Sequence, residues 1–145
     1  MFELVERLER MARINRDMRV AAASAIASCD RLLELRADFN FECKELLDNL
    51  TALMVDQEHS RLISKLEHEV VSMHQMLGHH QRQWPIDVIK TDPEGYLANS
   101  AAVHVYVLQY IETSLNDLAL SARPADQVNR SGLGDQTGFL PATDG

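Results

Sequence analysis

The chain has 145 residues, a formal charge of −8 and 46% hydrophobic residues, with one Trp and four Phe. That length suits one ordinary domain, which buries about two-thirds of its unfolded surface and folds without disulfides or metal. The charge argues against nucleic acid or an anionic membrane as the main partner, and a core of Leu, Ile, Val, Met and Ala belongs to a helical bundle.

From Met1 to Leu77 the sequence contains neither glycine nor proline. Apolar residues recur there in alternating steps of three and four, through Met1, Leu4, Leu8, Met11, Asn15, Met18, Ala22, Ala25, Cys29 and Leu32 and on to Leu53. This is a heptad a/d seam, and it predicts a long, coiled-coil-like N-terminal helix over 2–36. Asn15 sits at an a position between Met11 and Met18, where a buried Asn fixes register in two-stranded coiled coils. Leu4, Leu8, Met11, Asn15 and Met18 are therefore the expected interface of a homodimer. Arginines at 7, 10, 13, 16 and 19 wind around this helix among Glu3, Glu6, Glu9 and Asp17, which reads as a solvated, self-compensated surface.

An unbroken helix to Leu77 would exceed about 110 Å at 1.5 Å per residue, so a corner is required. Two segments qualify. At Ala37–Phe41 a charged Arg36 occupies the seam and Asp38 and Asn40 can cap; at Asp56–Ser60 the register slips by one residue among polar side chains. Helices over 41–55 and 60–84 follow, the latter on a seam of Ile63, Leu66, Val70, Met73, Leu77, His80 and Trp84. Trp84–Pro85 ends it, because the residue before proline is pushed out of helical geometry. Pro85–Thr91 reads as a connection. Asp92–Pro93–Glu94 supplies an N-cap, a proline at N1 and an acidic first turn, so the last helix is expected over 93–121. After Ala122 the chain holds four of its six glycines and two of its four prolines. Residues 123–145 are thus expected to be a disordered tail with Phe139–Leu140 as its main apolar knot, behind a helical domain of 1–122.

The fold class expected is all-α: an antiparallel, up-and-down helical bundle. Cys29 and Cys43 fall on the apolar seam as small hydrophobes, and with no signal peptide or membrane-length apolar run the expected location is cytoplasmic.

Five of the six histidines lie between His59 and His80. No two histidines stand three or four apart, so one helix cannot chelate a metal with a pair. A zinc or iron site would have to be assembled across helices, and His80, His104, His74, Cys43 and His59 are the candidate ligands. His68–Glu69 resembles, in two letters, the phospho-acceptor helix of histidine-kinase dimerisation domains, which makes His68 the candidate acceptor. The usual Leu-Arg-Thr-Pro-like continuation is here Val70–Val71–Ser72–Met73. No nucleophile elbow or glycine-rich phosphate loop occurs in the sequence. The overall plan, small, acidic and all-helical with a C-terminal tail, is similar to that of bacterial export chaperones for flagellar and secretion substrates, a similarity of architecture that implies protein binding. The function expected is a non-enzymatic, cofactor-free protein-binding module (adaptor, chaperone or signalling bundle) that self-associates and captures a further protein. The alternative is a histidine-based metal-binding or phosphotransfer bundle.

Overall fold

The computed structural model describes residues 2–24, 29–53 and 59–121. They form α1 (Phe2–Ala23), α2 (Cys29–Leu53), α3 (Ser60–Gln83), α4 (Ile86–Thr91) and α5 (Pro93–Ser121), with no strand among the described residues. The chain divides into two units, Met1–Leu115 and Asn116–Gly145; the bundle described below lies in the first. The tail expected over 123–145, with Phe139–Leu140, lies outside the described residues.

Side-chain pairs give the direction of each helix. Arg7 reaches Glu42 and Asn49, whereas Asp17 reaches Arg31, so α1 and α2 run antiparallel. Asn40 meets Gln81 and Thr51 meets Glu67, which reverses the chain again between α2 and α3. His80 stacks on Tyr96 while Tyr110 bonds to the Leu66 carbonyl, so α5 runs antiparallel to α3. The result is the up-and-down bundle that the seams imply. Its centre is filled by Leu8, Met11, Leu32, Phe39, Leu46, Leu50, Leu66, Met73, Val107 and Ile111, all buried. Each such side chain removed from water contributes about 1.5–3 kcal/mol.

The long N-terminal helix expected over 2–36 is corrected: α1 ends at Ala23, and Ala37–Phe41 lies within α2 instead of forming a corner. Two physical reasons account for it. The seam from Met18 to Cys29 is mostly alanine, which offers little area to hold a continuous rod. Arg36, taken from the sequence as a polar interruption, is buried, with its guanidinium carbon 5.8 Å from the centre of the Tyr96 ring. Phe39 beside it is fully buried, so this stretch is the middle of a packed helix. The second corner falls where the register slip places it, between Leu53 and Ser60.

The connection Pro85–Thr91 is a short helix. Pro85, with ψ of 162°, stands at its N-cap, Thr91 Oγ1 donates to the Val88 carbonyl, and Ile89 is buried. At the start of α5 the Gly95 N–H donates to Asp92 Oδ1 at 2.9 Å, the capping bond expected from the sequence. A Cβ at Gly95 would collide with the Asp92 carboxylate. Gly95→Ala is therefore expected to lower stability by about 1 kcal/mol through loss of the cap, despite alanine's better helix propensity; a thermal melt checks this.

The arginine run also differs from its expected role. Arg7 Nη1 lies 2.6 Å and Arg10 Nε 3.4 Å from Glu42 Oε1, and Arg7 Nε donates to Asn49 Oδ1 at 3.0 Å. Two of the arginines thus pin α1 to α2 across the buried Glu42 carboxylate instead of pairing along their own helix.

Candidate functional site

Antiparallel packing brings the second half of α1, the first half of α2, the last turns of α3 and the start of α5 to the same end of the bundle. Each element delivers a polar side chain into the interior there: Asn15, Arg36, His80 and His104, all buried. Tyr96 is the ring against which His80 and Arg36 are arranged. His80 stacks on it with ring centres 5.8 Å apart and planes at 22°, Trp84 tilts against it at 5.6 Å, and Arg36 lies over it. Phenol, imidazole and guanidinium present flat faces, which lets them share a space that aliphatic residues fill elsewhere.

Asn15 holds His104 in one tautomer. Its Nδ2 donates to the His104 carbonyl at 3.1 Å, and a carbonyl can only accept, so Oδ1 is the amide atom turned to the ring. His104 Nδ1 stands 2.9 Å from that oxygen and must carry the proton. Nε2 is then the lone-pair nitrogen, buried and without a hydrogen-bond partner among the described residues. The same holds for His80 Nε2, Arg36 Nη2 and Asn40 Oδ1.

The electrostatics follow from burial. Desolvation pushes the His104 imidazolium down to about 4, helped by His80 and Arg19. Desolvation lowers His80 as well, with Arg36 and His79 acting in the same direction. Burial raises Tyr96, against the opposing pull of Arg36. Both core histidines are neutral near pH 7, with Arg36 opposing a second cation at His80 and Arg19 doing so at His104.

The sequence-derived candidates are spread over three places. His80 and His104 share the buried cluster. Cys43 and His74 line a groove of about 260 Å³ between α2 and α3, with Lys44, Leu47, Val70 and Val71. The Cys43 thiol is pushed up to about 12 by burial, with Glu42 adding to the effect, and is therefore unreactive at neutral pH. His59 directly precedes α3. Among the described residues no three His, Cys, Asp or Glu side chains stand together as a metal set. His68 is exposed on α3. No protein-family model, curated protein or solved structure matches the chain. Its chemistry is read from its own residues.

Leu4, Leu8, Met11, Asn15 and Met18 are all buried within the chain's own bundle. The premise that this stripe would meet water unless a second copy covered it is corrected, because α2 and α5 occupy that place. What is left uncovered lies elsewhere, on α5. From Gly95 to Ile111 the sequence carries no Asp, Glu, Lys or Arg. Yet Leu97, Val105 and Tyr106 are 44%, 47% and 43% exposed, and Ala98, Ala101 and Ala102 are exposed with them. A surface helix ordinarily turns charge to solvent, and between Gly95 and Ile111 this one does not. The sequence carries the signal as a run of 17 residues without a charged side chain. Periodicity alone conceals it, because the inner seam accounts for only every third or fourth residue. Among the described residues no helix is long and apolar enough to cross a membrane.

Proposed function

We propose that the chain is a non-enzymatic helical protein-binding module, of the adaptor, chaperone or signalling kind, working in the cytoplasm, where the buried thiols of Cys29 and Cys43, which form no disulfide, stay reduced. The observation that carries this reading is the exposed, charge-free face of α5 on a chain whose formal charge is −8. An apolar strip that meets water in a protein otherwise rich in charge is the usual mark of an association surface. The buried polar cluster then serves the bundle by fixing which helices meet at that end.

A second reading has one observation in its favour. A neutral imidazole whose Nδ1–H is held by Asn15 and whose Nε2 lone pair is free has the orientation of a metal-ligating histidine, and His80 lies near it. Elemental analysis of the purified full chain separates the two. A metal-free sample that co-purifies proteins from its native host, and loses them with Val105→Arg, is the result expected. Zinc or iron at one equivalent per chain, removed by His104→Ala, replaces the binding-module reading with the metal one.

A further inference from the structure

We propose that Arg36 Nη2 and His80 Nε2 hold a small inorganic monoanion of chloride size beside the Tyr96 ring, inside the bundle. This site is independent of the α5 face and of the binding-module reading. Its basis is a buried cation with no counter-charge. Arg36 is 8% exposed, its Nη2 has no hydrogen-bond partner, and none of the ion pairs among the described residues includes it. Glu42, the one buried carboxylate among the described residues, is already taken by Arg7 and Arg10. Asp38 of α2 and Glu94 of α5 are exposed. A lysine or a carboxyl in such a place neutralises itself by changing its protonation, whereas a guanidinium stays charged. The face of an aromatic ring offsets only part of the lost hydration. An anion taken from solvent supplies the rest.

His80 marks where the anion sits. The His80 ring centre and the Arg36 guanidinium carbon each lie 5.8 Å from the centre of Tyr96, and the Arg36 charge is felt at His80, whose imidazolium is lowered first by burial and then by Arg36. His80 Nε2 is buried without a partner. A neutral imidazole keeps one N–H, and carried at Nε2 it gives the anion a second donor. His104 is no ligand. Asn15 holds its proton at Nδ1, so its Nε2 presents a lone pair, which an anion repels. Packing sets the size. Tyr96 has His80 and Trp84 against it, with ring centres 5.8 and 5.6 Å away, so a phosphate or a metabolite would have to part the stack. A single-atom ion needs little more room than a water molecule. The net charge of −8 opposes it weakly, because exposed carboxylates are screened by salt while the buried guanidinium is not.

The test is urea unfolding of the full chain at pH 7 with chloride raised from about 1 to 300 mM, while sodium gluconate, whose anion is too large for the stack, holds ionic strength constant. The unfolding constant is expected to fall by at least about tenfold across that range, because only the folded chain binds the ion. Arg36→Met, similar in length and uncharged, should abolish the dependence. His80→Phe keeps a ring against Tyr96 but has no N–H, and it should need about tenfold more chloride for the same effect, as loss of a hydrogen bond to a charged group implies. If His80 served packing alone, its replacement would shift the unfolding midpoint equally at every chloride concentration. An unfolding constant that ignores chloride in the natural chain overturns the proposal and leaves water as the partner of Nη2. A chloride response that is unchanged in Arg36→Met, or in His80→Phe should the first variant not fold, places the ion elsewhere and overturns it as well.

Discussion

Acidification from pH 6.5 to pH 4 is expected to remove about 3 kcal/mol of stability through His104 alone. The group is buried, with its Nε2 facing no acceptor, and its folded-state value is lowered from 6.5 to about 4 by desolvation, then by His80 and Arg19. A histidine lowered on folding is held neutral in the native state, while the unfolded chain takes up the proton at its ordinary value. Stability is therefore complete above pH 6.5, declines as pH falls towards 4, and levels off below, at about 1.4 kcal/mol per unit of displacement. His80 shifts in the same direction, and protonating both would set two imidazolium ions against each other, with Arg36 acting on the first and Arg19 on the second. Urea unfolding at pH 7, 5.5 and 4 measures the loss. His104→Gln, which keeps a donor for Asn15 and cannot ionise, should flatten that part of the profile. An equally steep decline in this variant would assign the acid sensitivity to other groups.

The sequence made the bundle's punctuation legible wherever a local rule applied. Proline forbids helix at the residue before it, and α3 ends at Gln83; Asp92 and Pro93 together cap and start α5 where they should. It also marked which faces are apolar. What a heptad pattern cannot say is whether an apolar face meets another copy or a later segment of the same chain, because both covers satisfy the same spacing. Leu4 to Met18 met the later segment. The end of α1 was illegible for a related reason, since no glycine or proline marks residues 24–28 and Arg36 offered a more conspicuous polar break. A long aliphatic stem ending in a flat cation can occupy a core position against an aromatic ring, and only the placement of Tyr96, far along the chain, reveals that this one does. Likewise His80 and His104 were visible as seam histidines and Asn15 as a seam asparagine, but their meeting joins residues 89 apart in sequence. No short-range pattern records that contact.

Asn15→Leu is expected to destabilise the monomer by about 2 kcal/mol and to leave the state of association unchanged. Were Asn15 a register device between two chains, removing it would strengthen the seam and alter the size of the oligomer. In this fold the amide is only 2% exposed and makes both of its bonds to His104, at 3.1 and 2.9 Å. Leucine has similar volume but takes away the acceptor of a buried imidazole N–H, which costs about 1–3 kcal/mol when left unsatisfied. The His104 carbonyl suffers less, because it retains the helix bond of α5. Removing both partners reverses the argument. In the double variant Asn15→Leu/His104→Phe no buried donor is stranded and an aromatic ring still fills the space, so it should regain most of the loss, a coupling of about 1–2 kcal/mol in a double-mutant cycle. The same variant has no imidazole at this position to protonate, and its stability should hold between pH 6.5 and 4 better than that of the natural chain. If the single variant instead raises the unfolding midpoint, the amide bonds contribute less than the apolar area that replaces them. If it shifts the mass measured by sedimentation, Asn15 acts between chains after all.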